Sequence, residues 1–220
     1  MVTEGIIEGK VHLVLYRVMR ELPRRLWHIF VGLSLPIAGL LVPKDIFLPL
    51  LISVTIIFLI FELVRLKFSW LNRRFLTDFG ALLREREAST LTGSSYFLIA
   101  ASVVFILCQQ SIAAMALAFV AVGDPVAGMV RDLKGSQLSH TTYRAGEVKD
   151  KGLKGSGACF LACVVVGAIL AVITPVALWL MLVGAVCATL IEFLSLPLND
   201  NLTSPLVSAG VMSLVKLLCF

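Results

Sequence analysis

The chain has 220 residues, 59% of them hydrophobic and only 15% charged, with a mean hydropathy of +0.96, whereas a soluble domain of this size carries about 25% charge. The apolar excess comes in blocks long enough to cross a bilayer, which excludes one ordinary soluble core. The net charge of +5 sits on basic residues beside those blocks, where the positive-inside rule explains it and nucleic-acid binding is not required.

Residues 6–22 place Ile7, Val11, Val14, Leu15, Val18 and Leu22 at helical spacing, with Glu8, Lys10, Arg17, Arg20 and Glu21 between them. This pattern predicts an interfacial amphipathic helix, ended by Pro23. A first span is expected over about 26–42 and a second over about 46–64, joined by the turn Pro43-Lys44-Asp45. The polar stretch 65–93 mixes Trp70, Phe75, Phe79 and Leu82 with arginines and reads as interfacial. A third span over about 94–108 meets a turn at Gln109-Gln110-Ser111. A fourth over about 112–130 contains Gly123-Asp124-Pro125, where a proline predicts a break in the helix. After the polar loop 131–155, spans are expected from Ser156 to Thr174, over about 176–196 and over 205–220, the last two joined by the loop 197–204.

All of the 19 Lys and Arg residues except Lys44 and Lys216 fall in three segments, Lys10 to Arg25, Arg65 to Arg86 and Arg131 to Lys154. About seven spans with a cytoplasmic N-terminus put all three on the cytoplasmic side. The expected fold is therefore all-α. It is a polytopic integral membrane helix bundle of about seven spans with an N-terminal amphipathic helix. Residues 1–25 form the arm and 26–220 a single membrane domain. The five cysteines show no zinc-type or CxxC spacing and read as packing residues. Gly155, Cys159, Cys163, Gly167 and Ala171, each four apart, form a small-residue ridge for close helix packing.

An acid in a membrane span is costly and marks function, which singles out Glu62, Asp124 and Glu192, near the cytoplasmic ends of their spans. In Gly123-Asp124-Pro125-x-x-Gly128, the carboxylate can bind a metal or abstract a proton, and Gly128 permits close ligand approach. Asn199-Asp200-Asn201 offers more oxygen donors than a helix cap needs, and such donors suit Mg²⁺. Lys149 to Gly157 runs into a helix N-terminus, where free N–H groups favour an anion. Lys151 and Lys154 add charge, Gly155 allows close approach, and Ser156 can cap the helix. The alternative for this segment is a solvated basic loop. Arg24, Arg25 and His28 stand where the first span leaves the cytoplasm. Arg84 and Glu87, like Glu62 and Arg65, have the i,i+3 spacing of a simple ion pair.

Taken in order, these fragments resemble the CTP-dependent lipid-alcohol kinases, the family of dolichol kinase, phytol kinase and the CTP-type diacylglycerol kinase. The matching positions are Arg24-Arg25-Leu-Trp-His28 with Gly32, Arg84 and Glu87 with Thr92-Gly93, and Gly123-Asp124 with Ala127 and Gly128. They continue with Lys151 to Ser156, then Glu192 with Asp200, Asn201 and Pro205. The chain departs from the pattern at Gly152, where a hydroxyl residue is usual, and at Lys154, where a glutamate is usual.

The resemblance implies a kinase with CTP as donor, Mg²⁺ as cofactor and a lipid alcohol as acceptor, either a polyprenol, a phytol-like alcohol or diacylglycerol. It assigns catalysis to Asp124, Glu192 and Lys151, with Glu192 or Asp124 as general base. Nucleotide contacts fall to Lys151, Lys154, Gly155, Ser156, Arg84 and His28, and metal ligation to Asp124, Asp200 and Asn201. The expected location is a prokaryotic plasma membrane, with the active site facing the cytoplasm. Two other readings remain open at this point: a CTP-dependent cytidylyltransferase acting on a lipid phosphate, and a small non-enzymatic transporter or binding protein.

Overall fold

The computed structural model describes residues 2–133, 153–194 and 198–219, with side chains from Tyr16 onward. The described residues form eight α-helices. They are α1 (Val2–Leu41), α2 (Lys44–Lys67), α3 (Ser69–Phe79), α4 (Gly93–Leu107), α5 (Gln110–Leu133), α6 (Leu153–Ile173), α7 (Leu178–Leu194) and α8 (Asp200–Cys219). Two 3₁₀ turns, Gly80–Leu82 and Glu85–Ala88, join α3 to α4.

Four helices, α2, α5, α6 and α8, are long and apolar enough to cross a membrane, and α4 and α7 are shorter apolar helices. Large apolar side chains face outward along α2 (Ile46, Leu50, Ile57, Ile60) and α6 (Leu161, Val165, Ile169, Val172). A continuous exposed surface of this kind needs an apolar solvent, and the molecule is a helical membrane bundle.

Two expected interruptions do not occur. Pro23 lies inside α1, so the N-terminal arm and the first span are one continuous helix. Pro125 lies inside α5, which runs unbroken through Gly123 and Asp124. A proline removes one backbone donor, and a helix in hydrocarbon that unwound there would strand several, so continuity is the lesser cost. The amphipathic pattern expected before Tyr16 lies outside the described side chains.

The centre of the bundle is α5, packed against α1, α4, α6, α7 and α8. Residues 113–119 are Ala-Ala-Met-Ala-Leu-Ala-Phe and are completely buried. The alanines allow close approach: a Cβ on Gly32 of α1 would stand 2.8 Å from the Ala121 Cβ. The small-residue ridge of α6 packs where the spacing places it. A Cβ on Gly123 would meet the Cys159 and Cys163 sulfurs at 2.9 Å, and one on Gly167 would meet Phe119 at 2.9 Å.

Polar contacts gather at the two ends of the bundle. At one end Gln110 donates to the Gly39 and Val42 carbonyls, Lys44 to the Cys108 carbonyl, and Lys216 to Gln109. At the other end, among the described residues, lie the ion pairs and the candidate site.

That second end is built on a fully buried ion pair. Arg65 and Glu62, both 0% exposed, form two hydrogen bonds, Nε to Oε1 at 3.0 Å and Nη2 to Oε2 at 2.9 Å. The remaining Arg65 donors reach Asn72 Oδ1 (2.8 Å) and the Glu87 and Thr90 carbonyls (3.2 and 3.0 Å), and its guanidinium sits 4.8 Å from the Phe75 ring centroid. Glu62 accepts the Thr92 amide at 2.8 Å. The i,i+3 spacing here marks a buried hub that fastens α2, α3 and the 84–93 segment together, rather than a simple surface pair. Removing one partner of such a pair costs about 3–5 kcal/mol. Arg65→Met is therefore expected to lower the unfolding midpoint in detergent sharply, and an unchanged midpoint would show that the hub contributes little.

Candidate active site

Glu87 sits one turn beyond the hub. Its carboxylate accepts the Arg84 amide at 2.9 Å and the Gly93 amide at 2.9 Å, tying the start of the 3₁₀ turn to the first residue of α4. The expected Arg84–Glu87 ion pair is therefore not what forms. The Glu87 side chain is used on backbone, and the Arg84 guanidinium is left to reach Asp124 on α5 at 3.7 Å. The hub and the Glu87 clamp are thus the means by which a short loop aims an arginine at a membrane carboxylate.

Asp124, Glu192 and Asp200 come from α5, α7 and α8 and line one cleft together with Ser204, Phe119, Val120, Cys159 and Ala188. Glu192 is 4% exposed and doubly held: Arg131 bonds its Oε1, and the Ser156 hydroxyl donates to its Oε2 at 2.7 Å. Ser156 does not cap its helix, because α6 begins three residues earlier, at Leu153. Gly155 is buried, with a would-be Cβ 3.1 Å from the Arg131 side chain, so its missing side chain makes room for that arginine. Arg25 is buried and paired with Asp132, and a Cβ on Gly128 would stand 3.2 Å from three guanidinium atoms of Arg25. The close approach expected at Gly128 is thus made by Arg25.

Arg24 joins the same field. Burial, and then the Arg84 charge, hold its pKa below the ordinary value, while Asp124 and Glu21 act in the opposite sense; an arginine nonetheless stays protonated. His28 lies one turn further along α1. Its ring is 6.3 Å from that of Phe97, and its Nε2 is buried without a hydrogen-bond partner.

Asn201, in the first turn of α8, donates from Nδ2 to the Gly93 carbonyl at 3.1 Å, while its Oδ1 is buried and unpartnered. Among the described residues no group of three or more His, Cys, Asp or Glu is placed to hold a metal. Mg²⁺ commonly takes one or two carboxylates and completes its shell with phosphate and water. Asp124 and Asp200 on one cleft, with an orphaned amide oxygen close by in sequence, match that donor set.

Lys154 is exposed at the start of α6 and does not line the cleft, and Lys151 and Gly152 lie outside the described residues. Arg131 was not singled out by sequence. Its signal was its position seven residues after Asp124, two helical turns on and so on the same face of α5. The space inside the cleft is about 10 Å³, room for no more than a water-sized group, against the roughly 300–1,000 Å³ of a typical small-molecule pocket.

Glu87→Gln keeps the shape of the clamp but weakens two charge-assisted bonds, each worth about 1.5–3 kcal/mol. Hydrogen exchange at the Arg84 and Gly93 amides is expected to accelerate by about 10- to 100-fold. Unchanged protection there would mean the clamp does not hold the turn.

Comparison with known proteins gives one indication of kinship. The chain is 26% identical over 148 residues, 66% of its length, to CTP-dependent diacylglycerol kinase 1 of Saccharomyces cerevisiae. The match covers 48% of that relative, so the chain spans about half the length of the curated protein it resembles. No family model and no solved structure matches the chain. At the level of the family, the chain is similar to the CTP-dependent lipid kinases.

Proposed function

We propose that this protein is a membrane lipid-alcohol kinase that transfers the terminal phosphoryl group of CTP to the hydroxyl of a polyprenol, a phytol-like alcohol or diacylglycerol. The observation that carries the reading is the meeting of Asp124, Glu192 and Asp200 on one cleft, ringed by arginines, at one end of an apolar bundle. Phosphoryl transfer needs little covalent chemistry from the protein; it needs charge neutralisation, in-line positioning and a destination for one proton. The resemblance to a diacylglycerol kinase supports the phosphoryl acceptor being a lipid.

In this reading about seven helices cross the bilayer, with the basic segments and the cleft at the cytoplasmic face. Asp124 and Asp200, with Asn201 Oδ1, would hold Mg²⁺, which would supply charge neutralisation to the phosphates. Arg84 and Arg24, with Lys151 and the Gly155–Ser156 backbone, bind the phosphate chain. The acceptor oxygen forms a new bond to the terminal phosphorus as the bond to the bridging oxygen breaks, and CDP leaves. The acceptor's proton passes to Glu192, whose carboxylate is oriented by Arg131 and Ser156. The lipid tail stays among the helices, which is why the acids sit at shallow depth rather than at the midplane. Transport fits less well, since transporter sites favour broken helices near the midplane and α5 is continuous beside Asp124.

The test uses purified protein in detergent with Mg²⁺ and γ-labelled CTP or ATP, offered farnesol, geranylgeraniol, phytol, a long polyprenol and diacylglycerol. Label is expected to pass from CTP to one of these lipids, and Asp124→Asn is expected to lower turnover by at least about 100-fold. Release of pyrophosphate with cytidylyl transfer to a lipid phosphate would replace the kinase reading with a cytidylyltransferase. Wild-type turnover in both Asp124→Asn and Lys151→Ala would overturn the site assignment.

A further inference from the structure

The opposite end of the bundle holds a larger and chemically different crevice. It offers about 210 Å³ and is lined by Ile112, Pro175, Val176, Trp179 and Leu180, with Lys216 the one charged group lining it among the described residues. Leu180 and Glu192 are twelve residues apart on α7, so this crevice lies about 18 Å along the helix from the candidate active site.

Two lysines bond neighbouring residues at this end, with the exposed Asp45 beside Lys44. Lys216 donates to the Gln109 side chain, and Lys44 donates to the neighbouring Cys108 carbonyl at 3.4 Å. Both acceptors are neutral, and among the described residues no salt bridge engages either lysine. These are also the two basic residues outside the three basic segments. Two buried hydroxyls without hydrogen-bond partners stand close in sequence, Ser111 just before Ile112 and Ser213 one turn before Lys216. Trp179, amphipathic and partly exposed, belongs at a membrane interface.

The geometry points to a phospholipid site on the face away from the cleft, separate from the acceptor site and independent of the kinase reading. The headgroup phosphate of an anionic glycerophospholipid lies at Lys216 and Lys44, and one acyl chain fills the crevice along Ile112, Val176 and Leu180. The combination selects this occupant. A small anion has no use for the apolar walls, and a neutral acylglycerol has no use for two lysines. At this depth in a bilayer the phosphate and the chain arrive joined in one molecule.

The protein, delipidated in mild detergent, is melted with increasing phosphatidylglycerol, and in parallel with methyl palmitate (a chain without phosphate or hydroxyl) and glycerol 3-phosphate (phosphate without chains). Phosphatidylglycerol alone is expected to raise the melting temperature by several degrees. The half-effective concentration is expected to rise about fivefold for each of Lys44→Gln and Lys216→Gln. Arg74→Gln, an exposed change in α3, leaves it unchanged. Leu180→Trp, which fills the crevice, provides a second readout: native mass spectra of this variant are expected to lose the phosphatidylglycerol adduct that the wild type retains. The proposal is overturned if methyl palmitate or glycerol 3-phosphate stabilises as well as phosphatidylglycerol, if both lysine variants keep the wild-type response, or if Leu180→Trp keeps the adduct.

Discussion

A hydrocarbon solvent leaves a charged side chain two stable arrangements: reach an interface, or meet a partner that completes its hydrogen bonds. In this bundle the acids do both. Glu62, Asp124 and Glu192 lie near one end of α2, α5 and α7, and each carries an arginine, from Arg65, Arg84 and Arg131 respectively. Several carboxylates crowded on one cleft would repel one another and favour protonation, so the guanidinium groups are a condition for the cleft to exist as an anionic site. Arginine suits the task because it remains charged and offers five donors in a fixed plane.

The arginines divide into two kinds by what their remaining donors do. Arg65 is completely buried and saturated, with its donors spent on Glu62, Asn72 and two backbone carbonyls, so it fixes structure and is unavailable to a ligand. Arg84 and Arg131 are partly exposed, with 22% and 23% of their side chains accessible, and each is aimed at a carboxylate of the cleft. The buried arginine works at a distance: its bonds to the Glu87 and Thr90 carbonyls set the loop from which Arg84 projects. Structure and chemistry here use the same residue type, separated by burial.

Much of this was legible in the sequence. Blocks of apolar residues give the helical bundle, and the rarity of acids in those blocks singles out Glu62, Asp124 and Glu192, of which Glu62 is spent on the buried hub. The i,i+4 ridge on α6 packs as its spacing implies. The misreadings share one cause, the local scoring of features that the surroundings override. Pro23 and Pro125 are helix breakers by their own chemistry, yet a broken helix in hydrocarbon exposes more unsatisfied backbone than a continuous one lacking a single bond. Arg84 and Glu87 have ion-pair spacing, but the spacing presumes a helix, and the chain there is a short 3₁₀ turn whose amides compete for the carboxylate. Ser156 reads as a cap until Glu192, 36 positions away, is placed beside it. That pairing depends on how α6 packs against α7, which no local pattern records.

The packing that brings the cleft together is set by side chains that are nearly absent. Gly123 lies directly before Asp124, and the space its Cβ would occupy is filled by the Cys159 and Cys163 sulfurs. This fixes the separation of α5 from α6, and with it the distance from Asp124 to Ser156 and onward to Glu192. Gly184 does the same one interface away: its missing Cβ admits Met212 of α8 at 2.5 Å and Phe119 of α5 at 2.8 Å, so α7 and α8 close on α5 together. Glu192 lies eight residues beyond Gly184, and Asp200 stands at the start of α8, twelve residues before Met212. A few tenths of an ångström gained or lost at these glycines is carried along rigid helices to the carboxylates at their ends. In a cleft this small, those contacts decide whether three acids from three helices form one site.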